Sequence, residues 1–165
     1  MKFMQDYKEN LLKLDADNSD DLISNGSKDH AQALIYQFLE GAKKSINITS
    51  TSLSVYNTDK IVRALGVALK NNITVKVLID DYQGSKLDGN RFLAKCLQSN
   101  ACTVKTYDKP LKAHIVTRDK GAFRYCDNPG SNIAVASFNH PNIVKNAEEK
   151  IFGDFFEQQP DYTTA

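Results

Sequence analysis

Cysteine is scarce in this chain and odd in number. Cys96, Cys102 and Cys126 are the three, with no Cys-x-x-Cys spacing between them. That pattern excludes a disulfide framework and a cysteine-built zinc site, and buried, inert thiols in a reducing cytoplasm are expected. An excess of charge of one sign is also lacking: 21 Lys and Arg face 20 Asp and Glu, a net charge of +1. Any polyanionic partner must therefore be met by a local patch and not by a global basic field. No apolar run approaches the roughly 20 residues of a membrane span, and the first ten residues lack the apolar stretch of a signal peptide. No membrane association is expected. Internal repeats and low-complexity segments are absent as well.

What remains is an ordinary globular composition, 41% hydrophobic and 25% charged, in 165 residues. That length suits one domain with a full core and is too short for two ordinary ones. Residues 1–20 are polar, with a short helix through Tyr7, Leu11 and Leu12, and read as an N-terminal extension. From Asp21 the pattern becomes regular. Ser27 and Asp29 can cap a helix whose apolar face is Ala31, Leu34, Ile35, Phe38, Leu39 and Ala42. A strand follows at 45–50, then a helix begun by Thr58 or Asp59 and stopped at Asn71-Asn72. Ile73 to Ile79 is the clearest strand in the chain. A loop over 84–89, a helix over 90–99 and a short strand around Val104 come next. Later strands are expected at Lys112–Asp119, Phe123–Cys126 and Ile133–Asn139, and Pro141 opens a last helix through Phe156.

Helix and strand alternate through the first two thirds, which predicts an α/β domain with a mixed, mostly parallel sheet flanked by helices on both faces. The domain is expected to span 21–159, with a tail at 160–165. A hairpin near Gly121 adds antiparallel pairing. If its loop is Asp119-Lys120-Gly121, Arg124 pairs with Val116 and shares the face of His114; if the loop is only Lys120-Gly121, Arg124 points away.

His114 in its alternating strand, Asp119 after it, and Ala136-Ser-Phe-Asn139 at a later strand end resemble half of a phospholipase D-type phosphodiesterase. The prelude Ile46-Asn-Ile-Thr-Ser-Thr-Ser and the strand Val75-Lys-Val-Leu-Ile-Asp-Asp belong to the same resemblance, which covers about residues 21–159. That family writes His-x-Lys, four residues, Asp, and later Gly-Ser-x-Asn. Here the lysine position is Val116, the acidic residue comes two places early, and the glycine is Ala136. The resemblance implies a fold, a pairing of two chains that joins two histidines in one site, and a reaction through a phosphohistidine with neither metal nor cofactor.

Phosphodiester cleavage needs a nucleophile, an acid for the leaving oxygen, and donors around the developing charge. His114 is the candidate nucleophile and acid, with Ser137 and Asn139 as oxyanion donors and Asp119 as the motif's acidic member. Arg124 is the candidate substitute for the missing lysine, with Lys112 and Arg118 as further phosphate-binding cations. Each has a plainer reading: a backbone-satisfied strand histidine, a strand-to-helix cap at Ser137 and Asn139, a surface cation at Arg124. Asp80, Asp81 and Asp119 would be the ligands of a rival metal-dependent chemistry. Gly130-Ser131-Asn132 reads as a turn, Asn146-Ala-Glu148 as helix surface, and His30 and His140 as solvated. Two functions follow. One is a homodimeric, metal-independent phosphodiesterase acting on nucleic acid; the other is a catalytically degenerate relative that binds or regulates.

Overall fold

In the computed structural model, residues 2–84, 87–131 and 133–163 are described. Parts of the expected 84–89 loop, the 160–165 tail and the Gly130-Ser131-Asn132 turn lie outside them. The helices are α1 (Lys2–Ala16), α2 (Lys28–Gly41), α3 (Asp59–Lys70), α4 (Arg91–Leu97), α5 (Pro141–Ala147) and α6 (Asp154–Glu157). The strands are β1 (Ile23–Asn25), β2 (Ser45–Ser50), β3 (Thr74–Ile79), β4 (Cys102–Thr106), β5 (His114–Arg118), β6 (Ala122–Cys126) and β7 (Ala134–Ser137). They form one sheet in the order β1-β7-β6-β5-β2-β3-β4.

The sheet is mixed, as expected, but it is not mostly parallel. Only β2 with β3 and β3 with β4 run parallel; the other four adjacent pairs are antiparallel. The reason is connection length. Helices α3 and α4 are crossovers long enough to bring β3 and β4 back in the direction of β2, whereas the short links after β5 and β6 permit only antiparallel return. Helices cover both faces. Leu34, Phe38, Leu65 and Phe92, from α2, α3 and α4, pack with Leu11 of α1 against Ile46, Ile48, Val75 and Val77. On the other face Phe152 and Phe156 pack on Leu78 and Ile115.

Local chemistry sets the helix starts. Ser27, Thr58 and Asn90 each accept a backbone N–H from the first turn of α2, α3 and α4. The C-terminal helix is not continuous: a π turn over Glu148–Phe152 follows α5, and Gly153 separates it from α6. A Cβ at Gly153 would stand 2.9 Å from the Glu148 carbonyl oxygen, so the break needs glycine. All three cysteines are free, with Cys96 and Cys126 buried. A hydrogen bond with Cys102, and burial, push the Cys96 thiol up, which keeps it protonated.

The N-terminal residues form a full helix docked on α2. Leu11 is 1% exposed, and Asp15 meets Arg118 in a two-pronged ion pair at 2.7 and 2.8 Å, with Gln37 donating to Asp15 at 2.8 Å. Burial pushes the Asp15 carboxyl up, but Arg118 and Gln37 outweigh it and hold the carboxyl below its ordinary value. The guanidinium also lies against Phe38 and Phe138. Gly41 makes room for this: a Cβ there would come within 2.5 Å of both Arg118 and Asp15. Asp15→Ala strands the Arg118 charge in the interior, and urea denaturation should show a loss of about 3 kcal/mol. Gly41→Ala should lower stability in the same direction by displacing the pair.

Candidate active site

Strand β2 is the axis of the site because it pairs on both sides. It runs parallel to β3, with Ser50 opposite Ile79, and antiparallel to β5, with Ile48 opposite Val116. One residue beyond its end, Thr51 therefore falls beside Asp80, which follows β3, and His114, which begins β5. His114 Nε2 is 3.0 Å from both Asp80 carboxylate oxygens, and Thr51 Oγ1 donates to Asp80 Oδ1 while lying 3.5 Å from His114 Nε2. The Leu111 backbone N–H donates to Asp80 Oδ2 at 2.8 Å.

Asp80 is 1% exposed. Burial pushes its carboxyl up, but the hydrogen bonds from His114, Thr51 and Leu111 together outweigh that and hold it below the ordinary carboxylate value. An ionised carboxylate only accepts, so Nε2 carries the ring hydrogen and the lone pair of neutral His114 resides on Nδ1. This is a histidine oriented by a buried acid, the arrangement that fixes tautomer and ring plane in nucleophilic and general-base sites.

The hairpin loop is the three-residue Asp119-Lys120-Gly121, since Arg118 pairs with Ala122 and Val116 with Arg124. Arg124 consequently lies on the His114 face of the sheet. Both line a cavity of about 160 Å³, together with Thr51, Ser52, Ser54, Tyr56 and Ser131. Arg124 Nε donates to Asn25 Oδ1 at 2.6 Å. One cation, one oriented imidazole and several hydroxyls around a small cavity make a site suited to a phosphate group.

The other sequence candidates are elsewhere. Ser137 pairs with Phe123 across β6 and β7, on the opposite face from Arg124 and toward the hairpin end. Its hydroxyl donates to Ser19 O and accepts from Asn139 N. Asn139 stands over Gly121 at that same far end. It is not the cap of α5 either, because His140 holds that position. Asp119, at φ +52, accepts from the backbone N–H groups of Lys43, Lys44 and Ser45 and so closes the α2–β2 loop. Arg118 is committed to Asp15, and Lys112 is exposed on the strand approach. The physical reason is shared: β7 runs antiparallel to β6, which carries its C-terminal end away from His114. Asp80 sits in the histidine site and Asp119 at the other end of β5, so the rival trio of acidic residues is not assembled.

Three partners of the site escaped sequence reading. Asp80 was visible as a strand-end acid but not as a partner of His114, and Thr51 stood in the prelude after β2 with no role assigned to it. Asn25 lies in a three-residue strand too short to show a period. Ser131, read as part of a turn, lines the His114 cavity. The two remaining histidines are engaged: His30 stacks on Tyr7 at 3.9 Å, and His140 Nε2 bonds the Asp20 carbonyl.

This architecture is the phospholipase D-like fold, as the likeness to solved structures shows. Among solved structures, Nuc from Salmonella typhimurium, a phospholipase D family member, matches with a TM-score of 0.61 at 21% identity over 87% of this chain and 99% of its own. NucT from Helicobacter pylori matches with a TM-score of 0.64 at 10% identity over 86% and 100%. TrmBL2, an archaeal chromatin protein with a novel mode of DNA binding, matches with a TM-score of 0.65 at 13% identity over 98% of this chain, which spans 64% of the length of that one. No family model matches the chain, and no curated protein does.

Asp80 gives the site a pH signature. Its folded pKa is depressed, so its contribution to stability is fully present above the unfolded value and is lost as pH falls through the folded one. Melting temperature followed from about pH 5 to about pH 2 should fall less steeply for Asp80→Asn than for wild type. Parallel curves would remove the charged role of Asp80.

Proposed function

We propose that this chain is a phospholipase D-like phosphodiesterase, acting on nucleic acid as a homodimer in a reducing cytoplasm and without a metal. The observation that carries the reading is the oriented His114–Asp80 pair with Arg124 on the same face of the sheet. His114 Nδ1 attacks phosphorus, a P–N bond forms, and the bond to the leaving oxygen breaks. Asp80 accepts from Nε2–H and stabilises the positive charge that the ring acquires. Arg124 opposes the charge on the non-bridging oxygens, in place of the lysine that Val116 replaces, and Thr51 and the cavity hydroxyls add donors. The leaving oxygen takes a proton; water then cleaves the P–N bond and returns His114 to its starting state.

The proton donor is the reason for a dimer. His114 is the sole histidine lining the cavity among the described residues. A closed two-fold interface would bring in the His114 of a second copy as the acid. Sedimentation should accordingly give a dimer at micromolar concentration.

A second reading, a phosphate-binding module without turnover, is favoured by the placement of Ser137 and Asn139 away from His114. The likeness to an archaeal chromatin protein also favours it. Hydrolysis of bis(p-nitrophenyl) phosphate and of single-stranded DNA separates the two. The enzyme reading expects turnover that survives EDTA, is abolished in His114→Ala and falls by about 10²–10³ in Arg124→Ala. DNA binding with no turnover in wild type would establish the module, and activity restored to an EDTA-treated sample only by magnesium would overturn the metal-free chemistry.

A further inference from the structure

We infer that Tyr7 and Asn25, from the N-terminal helix and strand, are positioning residues that set the Arg124 guanidinium for phosphate, so that docking of α1 is part of the anion site. The inference rests on the phosphate role given to Arg124 above.

Asn25 is 0% exposed, in the middle of a short relay. Arg124 Nε donates to its Oδ1 at 2.6 Å, its Nδ2 donates to Tyr7 Oη at 2.8 Å, and Tyr7 Oη lies 3.3 Å from the Ser24 carbonyl, to which it donates. The direction of every link is forced. A guanidinium only donates, so the amide must turn its oxygen to Arg124; its nitrogen then needs an acceptor, which is Tyr7; and the tyrosine proton goes to Ser24. Tyr7 itself is fixed by stacking on His30, with ring centroids 3.9 Å apart and planes 8° apart. The charge of Arg124 is felt at both Tyr7 and Tyr56, opposing the upward push of burial on each phenol, and Tyr56 lines the same cavity as Arg124. An amide that could flip would present donors to donors, and the guanidinium would leave the position that faces the cavity. Tyr7 supplies the acceptor that prevents the flip.

This arrangement gives an edge strand of three residues a function. β1 pairs with β7 through Asn25 opposite Ala134, next to the pairing of Ala136 with Arg124. It delivers a side chain that reaches both α1 and the cation. Asn25 and Tyr7 touch no substrate and act only through Arg124.

The test measures binding of inorganic phosphate by calorimetry, beside melting curves, for full-length wild type, Tyr7→Phe, Asn25→Asp and Arg124→Ala. Asn25→Asp keeps the acceptor for Arg124 but sets a carboxylate against its charge. Tyr7→Phe should weaken phosphate about tenfold and Asn25→Asp more, each in protein that is still folded at the assay temperature. Adding Tyr7→Phe to Arg124→Ala should weaken phosphate no further, which a general loss of packing would not reproduce. Unchanged affinity in both Tyr7→Phe and Asn25→Asp, with Arg124→Ala impaired, overturns this inference and leaves the proposed function standing. If Tyr7→Phe does not fold, the Asn25→Asp result decides alone. Unchanged affinity in Arg124→Ala removes the phosphate role itself, and a wild type that binds no phosphate removes both.

Discussion

A carboxylate with almost no access to water must be answered by donors, and Asp80 is such a group. Its two oxygens take hydrogen bonds from Thr51, beyond the end of β2, and from Leu111 and His114, on the approach to β5. Satisfying that charge draws together the end of β2, the end of β3 and the start of β5. The histidine is therefore held by the same interaction that joins the parallel half of the sheet to its antiparallel half. Ligand sites in open α/β sheets form beyond the carboxyl ends of strands, and this one lies beyond the ends of β2 and β3 with β5 entering from the opposite direction.

A buried ion pair performs a comparable task at the other end of β5. Arg118 and Asp15 tie the N-terminal helix to the end of the central strand β5, and the carboxylate of Asp119 gathers three backbone N–H groups of the α2–β2 loop. Both acidic groups do structural work there, which explains why neither reaches the cavity. β5 is thus bounded by two charge clusters of different character. The one at its start contains an imidazole beside the Arg124 cavity, and the one at its end is packed against Phe38 and Phe138.

Much of the fold was legible from periodicity. The spans of β2, α3 and β3 follow directly from alternation, helical spacing and caps, and the three-residue hairpin was one of two open registers. The antiparallel β5–β6 hairpin was legible, but the direction of β5 against β2 and of β7 was not, because strand pattern carries no sign. Strand β1 was invisible at three residues. His114 and Arg124, picked out by residue type and face, line one cavity. Asp80 was seen as an acid at a strand end but not as the partner of His114, because that contact depends on tertiary register. Ser137 and Asn139 lie at the other end of the sheet from His114, a placement that one-dimensional spacing cannot reveal.

The central claim is that the imidazole of His114, oriented by Asp80, forms a bond to phosphorus. The direct measurement is peptide mass spectrometry after rapid alkaline quench of the protein turning over an oligonucleotide substrate, conditions under which a phosphoramidate bond persists. The account predicts a nucleotidyl or phosphoryl adduct on His114 in wild type, reduced in Asp80→Asn and missing in His114→Ala. Product accumulating with His114 unmodified throughout, or an adduct on another residue, would contradict it.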